Sequence, residues 1–324
     1  MRSQLHSLEL VYPPISNQEA EWLKNDIEVI EQIKKSKLYF IAQKDKTEFT
    51  FKENVQDVIQ EKKSIEFSLN SVDNSISGSI NIENLLTHHN IQFEDYDDIE
   101  IELGPKLVRL WLLINNEKEV LDWFTTEKIL NDFSKFKNIF IYGLKNYREF
   151  TKYDLHYIGI SKKDDSFKRL VIKPHDKRLR ILSNEYPKSK NSRITDEMFL
   201  FFFDIDSLEI KQYLQDTDFD EFGKNELEDR TRIIVDAEKA FVKVLNAEYN
   251  EVKFKQYPVS TDGLYKSSVE RYSFSLNEDI EFMTKDNSIY GERNDITGNS
   301  QADFISIDKE SKEVKLNKIK NNVA

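Results

Sequence analysis

The sequence predicts an α+β fold organised as three consecutive parts. Several short segments, such as 64–69, have apolar residues at every second position, which is typical of half-buried strands. A long segment at 225–247 instead has its apolar residues at helical spacing. Beyond Pro258 only short strand-like segments follow. We therefore predict an N-terminal α+β domain of unknown role over 1–134, a central domain over 135–258 and a β-rich extension over 259–324.

The N-terminal domain is predicted from alternating helical and strand-like segments. Ser16 and Glu19 have the spacing of a capping box, so a helix should begin there and extend to about Ser36. The apolar segments at 38–42 and 48–52 predict a pair of strands. Three further strands and one helix complete the domain, at 64–69, 79–82, 107–114 and 117–133 in that order.

The central domain is predicted to begin with a hairpin of two strands, at 138–142 and 155–159. A helix over 175–184 should follow Pro174, because proline is favoured in the first helical turn. The apolar run that begins at Met198 predicts a buried central strand over Phe199–Phe203. A short helix at 206–216 and the long helix at 225–247 end the domain. Four strands are predicted in the extension, at 271–276, 280–284, 303–307 and 313–316.

The composition is that of a globular protein without disulfides. Of the 324 residues, 39% are hydrophobic and 33% are charged, which argues against disorder. The sequence has no cysteine, which excludes disulfides, zinc–thiolate sites and cysteine nucleophiles. No apolar run approaches the roughly 20 residues of a membrane-spanning helix, and the N-terminus lacks a signal-peptide pattern. We therefore expect a cytoplasmic protein that has no membrane partner.

Charge is distributed unevenly along the chain. The formal net charge is −12 at pH 7, yet residues 135–193 hold 16 Lys and Arg against 6 Asp and Glu, a local charge of +10. The adjacent segment 194–237 holds 4 basic and 13 acidic residues. Local charge rather than total charge determines where phosphate binds, so the basic segment is a candidate nucleic-acid surface. A purely solvated surface would have the same composition.

Residue types suited to phosphodiester chemistry occur in this part of the chain. Cleavage of a phosphodiester needs an activated water and positive charge near the phosphoryl oxygens. A carboxylate can hold Mg²⁺, arginine binds phosphate through its forked guanidinium, and tyrosine or histidine can accept a proton. Candidates for these roles are, in chain order, Tyr142, Tyr157, Arg169, His175 and Glu238.

The order of these residues resembles the GIY-YIG nuclease family over about residues 139–256. Ile-Tyr-Gly stands at 141–143 and a literal Tyr-Ile-Gly at 157–159, and a basic helix follows. Asn250 comes after Glu238, as in restriction-enzyme members of the family. The resemblance implies a compact domain with a small antiparallel sheet flanked by helices. It also implies metal-dependent hydrolysis of DNA, in restriction or phage defence.

The resemblance implies a role for each candidate residue. Glu238 would bind Mg²⁺ or Mn²⁺, and either Tyr142 or Tyr157 would act as general base or orient the water. Arg169 with His175 would stabilise charge on the phosphoryl group, and Asn250 would support the pocket. A set of basic residues would contact the nucleic-acid backbone, namely Lys162, Lys163, Lys168, Lys177, Arg178 and Arg180.

Several choices stay open at this point. The first motif reads Ile-Tyr-Gly rather than Gly-Ile-Tyr, so Tyr147 or Tyr153 could replace Tyr142. Arg178 could replace Arg169 as the phosphate-binding arginine. The sequence does not distinguish DNA from RNA as the substrate.

Other functions fit the same residues. A degenerate site on this fold would bind nucleic acid without cutting it. The acidic remainder of the chain could instead neutralise the basic segment, within one chain or across a homodimer, in a protein-interaction module. The acidic segment 194–237 could also mask the site until a partner removes it. Residues 1–134 could bind a regulatory partner.

Overall fold

The chain forms two compact units whose parts alternate along the sequence. The structure is a computed structural model that describes residues 2–173, 175–211, 229–293 and 301–319. Unit 1 comprises Met1–Lys44, Lys152–Tyr186 and Ile194–Ala324, and unit 2 comprises Asp45–Thr151 and Pro187–Arg193. The predicted boundaries after residues 134 and 258 do not coincide with this division.

Strands and helices are numbered here in chain order. The strands are β1 (Arg2–Leu10), β2 (Ile15–Ser16), β3 (Leu38–Gln43), β4 (Glu48–Thr50), β5 (Ser64–Asn70), β6 (Ser75–Asn81), β7 (Asp98–Leu103), β8 (Leu107–Ile114), β9 (Glu117–Thr125), β10 (Ile141–Gly143), β11 (Lys152–Ile160), β12 (Met198–Lys211), β13 (Arg271–Leu276), β14 (Glu281–Met283), β15 (Ser288–Tyr290), β16 (Phe304–Asp308) and β17 (Glu313–Asn317). The helices are α1 (Asn17–Trp22), α2 (Ile27–Ile33), α3 (Val55–Lys62), α4 (Ile82–His88), α5 (Thr126–Phe136), α6 (Asp176–Asn184), α7 (Ile194–Glu197) and α8 (Arg230–Leu245).

Unit 1 is built on one large mixed sheet with the strand order β15-β14-β11-β3-β12-β1-β13-β16-β17, and β2 pairs with β12. The pairs β1–β13 and β11–β14 are parallel, whereas the other pairs on this path are antiparallel. The expectation of a small antiparallel sheet flanked by helices is therefore wrong. The sheet takes strands from all three predicted domains, because pairing between remote strands depends on burial that local sequence patterns do not encode.

The pairings of β3 and β11 also differ from those predicted. β3, predicted to pair with the segment at 48–52, lies between β11 and β12, while β4 pairs with β5. The predicted hairpin of 138–142 with 155–159 is wrong, since β10 pairs with β6 and β11 pairs with β3. In the sequence, the segment Asp45–Thr151 of unit 2 therefore separates two neighbouring strands of unit 1.

Apolar layers cover both faces of the sheet in unit 1. Phe201 and Phe203 of β12 pack in the same core as Phe241 of α8. The alternate residues Leu200 and Phe202 pack in a second core with α1, α2 and α6. Burial of both faces explains why the segment 198–203 is continuously apolar. The strand predicted in this segment is confirmed, but it extends to Lys211. The helix predicted at 206–216 is therefore wrong up to Lys211, and residues 212–216 lie outside the described part of the chain.

Local signals for helices and for the C-terminal strands agree with the structure. Ser16 and Glu19 form the predicted capping box, although α1 ends at Trp22 and Asp26 caps the separate helix α2. The long predicted helix is α8, capped by Asp229, and its predicted first residues 225–228 lie outside the described ranges. Strands are found close to all four segments predicted after Pro258. None of the helices in the described ranges is both long and apolar enough to cross a membrane.

Unit 2 has its own core between a four-stranded sheet, β10-β6-β5-β4, and a three-stranded sheet, β7-β8-β9. Buried residues of both sheets, including Phe67 and Leu110, form one apolar cluster with residues of α5. The helix predicted at 117–133 is in part a strand, since β9 continues to Thr125 and α5 begins at Thr126. The hydroxyl of Thr125 accepts a hydrogen bond from Lys128 N, which caps α5.

Candidate functional site

Two tyrosines of neighbouring strands meet in unit 1. Tyr39 on β3 lies opposite Gly159 on β11, and Tyr157 lies two residues earlier on the same face. The centroids of the two tyrosine rings are 6.2 Å apart. A Cβ on Gly159 would lie 2.6 Å from a ring carbon of Tyr157 and 2.8 Å from Oη of Tyr39. The glycine of the Tyr-Ile-Gly motif is therefore required because the tyrosine rings occupy the space of its side chain.

The hydroxyl of Tyr39 accepts hydrogen bonds from a guanidinium and an imidazole. Arg169 Nε donates to Tyr39 Oη at 2.9 Å, and His175 Nε2 lies 3.0 Å from the same oxygen. Backbone N–H of Arg178 donates to His175 Nδ1 at 3.1 Å, because His175 caps the N-terminus of α6. The Nδ1 atom is thus unprotonated, and we infer that Nε2 carries the proton and donates to Tyr39.

Burial favours the neutral forms of Tyr39, Tyr157 and His175. Burial is the main cause that lowers the pKa of His175 to about 4, and the positive charges of Arg169 and Arg178 act in the same direction. Burial also raises the pKa of Tyr39, while the hydrogen bond and charge of Arg169 oppose this rise. The pKa of Tyr157 is raised by burial and then by nearby Tyr39 and Glu238. The site therefore combines neutral hydroxyl and imidazole groups with the cation Arg169.

Arg169 is placed for contact with a ligand. It lies in a π-helical segment, Lys168–Ile172, and such segments occur often at functional sites. Its side chain is exposed, while its Nε is held by Tyr39. Arg178 has a different role, because its guanidinium donates to Asn17 Oδ1 at 2.5 Å and to the carbonyl of Leu170. Of the two arginines left open by the sequence, Arg169 is therefore the one beside the tyrosines.

Glu238 on α8 is the carboxylate of this site. Burial raises its pKa to about 7, although the charges of Lys162, Lys239 and Arg169 oppose the shift. Within the described ranges its carboxylate forms no hydrogen bond, and the side chain is only partly buried. A carboxylate in this position can bind a hard divalent cation, which would displace its proton. No group of three or more Asp, Glu or His ligands occurs among the described residues, so a cation here would need oxygen ligands from water or substrate.

Asn250 positions the second tyrosine strand. Its Oδ1 accepts a hydrogen bond from Ile158 N at 3.0 Å, and its Nδ2 donates to Ile158 O at 2.7 Å. Both polar ends of this buried amide are therefore bound to β11, between Tyr157 and Gly159. Asn250 therefore supports the site by holding the backbone of β11.

The other candidate tyrosines have different surroundings. Tyr142 belongs to unit 2, where its hydroxyl donates to the carbonyl of Ile139 at 2.8 Å and accepts from Asn84 at 2.6 Å. Tyr147 also lies in unit 2, in a short 3-10 helix, Tyr147–Phe150. Tyr153 is buried in the core of unit 1 among phenylalanine rings.

Sequence reasoning missed Tyr39. The apolar segment around it predicted a strand, but that strand was paired with a neighbour in sequence. The signal that would have identified it is a second tyrosine-bearing strand upstream of Tyr-Ile-Gly, with a long insertion between the two.

Several basic side chains near the site are paired with acids. Lys168 lies 3.3 Å from Asp164, and Lys177 and Arg180 both contact Glu251. Lys163 is exposed. Exposed ion pairs of this kind contribute little to stability, so another anion can replace the carboxylate as the partner of the basic side chain.

Comparisons with protein-family models, with curated proteins and with solved structures find no match for this chain. The function must therefore be argued from the geometry of the site.

Replacing Gly159 by alanine should destabilise unit 1. The added methyl group would overlap both tyrosine rings, and overpacking of this kind costs about 1–3 kcal/mol. Urea unfolding of the variant measures the change in the free energy of unfolding. The control is Gly104→Ala, whose methyl group would meet only a backbone oxygen, at 3.3 Å. Equal stability of G159A and the wild type would show that the rings do not need this space.

Glu238→Gln should remove a pH dependence of stability. The folded protein holds the Glu238 proton more tightly than the unfolded chain, in which the pKa of this carboxyl is 4.5. Protonated Glu238 therefore contributes stability that is complete below pH 4.5 and is lost as the pH rises to about 7. The free energy of unfolding of E238Q relative to the wild type should therefore increase over this interval, by about 1–3 kcal/mol.

The matched control is Glu251→Gln. Lys177 and Arg180 lower the pKa of Glu251, so its charged form stabilises the folded protein and the sign is reversed. E251Q should lose stability relative to the wild type as the pH rises through the range in which Glu251 ionises. A difference between E238Q and the wild type that does not change from pH 4.5 to 7 would contradict the raised pKa of Glu238.

Proposed function

We propose that this chain is a divalent-metal-dependent endonuclease that hydrolyses phosphodiester bonds in DNA. The observation that carries the proposal is the group formed by Tyr39, Arg169 and His175, which lies within electrostatic reach of the carboxylate of Glu238. A base, a phosphate-binding cation and a metal ligand are the groups that this reaction needs.

Each side chain can be assigned a step from its contacts. Glu238 would hold Mg²⁺ or Mn²⁺, which supplies positive charge for the phosphoryl oxygens. Tyr39 would first lose its own proton to solvent, giving a phenolate that Arg169 and His175 stabilise by donating to its oxygen. The phenolate would then accept the proton of the attacking water. The exposed guanidinium of Arg169 would also contact the phosphate, and Tyr157 would orient the water.

The resemblance to GIY-YIG nucleases forms part of this proposal. Tyr157, Arg169, His175, Glu238 and Asn250 keep the order that the resemblance requires. Tyr39 takes the place that the sequence alone assigned to Tyr142. This assignment is favoured because Tyr39, unlike Tyr142, belongs to the same unit as Glu238.

Substrate contacts and biological context are also proposed. Exposed lysines near the site, among them Lys162, Lys163 and Lys168, would bind the nucleic-acid backbone without reading sequence. We propose a cytoplasmic role in restriction or phage defence, with a homodimer or a regulatory partner as candidates for control. RNA is a second candidate substrate. Residues 212–228 of the acidic segment that could mask the site lie outside the described ranges.

One observation favours a second function, binding of nucleic acid without cleavage. Burial raises the pKa of both Tyr39 and Tyr157, so both hydroxyls are protonated at neutral pH and neither is a ready base. A binding module would keep Arg169 and the lysines in use and would not need either tyrosine to ionise.

Plasmid cleavage tests the two functions. We expect the wild type to nick or linearise supercoiled plasmid in Mg²⁺ or Mn²⁺, and E238Q to be inactive because the metal loses its carboxylate. Glu248→Gln is the control for the loss of one negative charge, because Glu248 pairs with Lys285, which has no proposed contact with nucleic acid. Binding without cleavage in either metal would favour the second function, whereas equal cleavage by the wild type and E238Q would remove Glu238 from the mechanism.

Tyr39→Phe and Tyr142→Phe decide which tyrosine takes part. Removing a general base typically lowers the rate by about 10²–10⁴-fold, and we expect this loss for Y39F alone. Y142F should cut at the wild-type rate because Tyr142 belongs to unit 2. A loss confined to Y142F would return the role to the residue predicted from the sequence. Circular dichroism of both variants checks that each is folded.

A further inference from the structure

One carboxylate beside Glu238 is shared by two lysines. Lys162 follows β11, and its Nζ lies 3.3 Å from Asp262 Oδ2. Lys239 immediately follows Glu238 on α8, and its Nζ is hydrogen bonded to the other oxygen, Asp262 Oδ1. The two ammonium groups therefore converge on the two oxygens of a single anion.

The loop that carries Asp262 is attached to α8 independently of this ion pair. Tyr257 Oη donates to Asp236 Oδ2 at 2.9 Å, and Leu264 N donates to Asp236 Oδ1 at 3.1 Å. A Cβ on Gly263 would lie 2.2 Å from Asp236 Oδ1, so the loop backbone rests directly on this buried carboxylate. Loss of the Asp262 charge alone should therefore leave the loop in place.

The ion pair is open to solvent on one side. The Lys239 side chain is only 9% exposed, whereas the side chains of Asp262 and Lys162 are 49% and 58% exposed. A ligand that approaches Glu238 from solvent can thus reach both lysines if Asp262 moves aside. Lys162, Lys239 and Asp262 all act on the pKa of Glu238, so they lie within electrostatic range of that carboxylate.

We propose that Lys162 and Lys239 form a phosphate-binding subsite next to Glu238, and that Asp262 occupies it as an internal anion until a substrate phosphate replaces it. The inference rests on the proposed function, since it assigns the subsite to a backbone phosphate adjacent to the one that is cleaved. Two non-bridging phosphate oxygens can accept from two ammonium groups as the carboxylate oxygens do. The carboxylate thereby lowers the affinity for nucleic acid by competing for the same donors.

Binding measured without metal tests this subsite separately from cleavage. The probe is a short fluorescein-labelled single-stranded DNA in EDTA, titrated with wild type, Asp262→Asn and the control Glu248→Gln. Glu248 forms an exposed ion pair with Lys285, so E248Q changes the net charge equally but frees a lysine elsewhere. We expect D262N to bind about threefold to tenfold more tightly, and E248Q to bind like the wild type.

The same substitution in a background without the two lysines completes the test. In the Lys162→Gln/Lys239→Gln double variant, D262N should have no effect on affinity, because the two ammonium donors for which Asp262 and the phosphate compete are gone. A gain that persists in this background, or an equal gain in E248Q, would overturn the subsite. If the effect of D262N on affinity depends on the two lysines but the wild type never cleaves DNA, the subsite stands and the nuclease proposal fails. If the wild type cleaves DNA but this dependence is absent, the nuclease proposal stands and the subsite fails.

Discussion

The candidate site depends on the pairing of β3 with β11. This pairing places Tyr39 opposite Gly159 and brings its ring to Tyr157, while Asn250 fixes β11 from the other side. The two strands are separated in sequence by the segment Asp45–Thr151 of unit 2. The entropy cost of closing so long a segment grows only with the logarithm of its length, and unit 2 folds around a core of its own. A large insertion is therefore compatible with a precise contact between its flanking strands.

Burial gives the site its electrostatic character. It raises the pKa of Glu238 to about 7 and lowers that of His175 to about 4, so both shifts favour the neutral form. Such groups gain charge at little cost only when a ligand supplies the opposite charge. A cation would compensate the charge of ionised Glu238, and a phosphate bound at Arg169 would compensate the charge of protonated His175. Several groups with shifted pKa values in one cluster therefore indicate a candidate binding or catalytic site.

Residues of the same type have different roles in this unit because their hydrogen-bond partners differ. Arg169 donates from Nε to Tyr39 and is otherwise exposed, whereas the guanidinium of Arg178 is bound to Asn17 and Leu170. A partly buried arginine whose guanidinium is bound by the protein stabilises the fold, while an exposed one beside a hydroxyl cluster can bind an anion. Sequence position alone did not separate the two.

The sequence by itself determined many of the local elements and indicated most of the residues of the candidate site. The capping box at Ser16, the strand at Arg271–Leu276 and the helix that carries Glu238 follow from patterns within a few residues. Five candidate residues were proposed from residue order, and all of them lie in unit 1, namely Tyr157, Arg169, His175, Glu238 and Asn250. The tertiary structure alone decided that the sheet is large and mixed, that Tyr39 rather than Tyr142 shares their unit, and that Asn250 binds backbone. Those outcomes depend on which remote strands bury each other's apolar faces, and that information is not contained in any short segment.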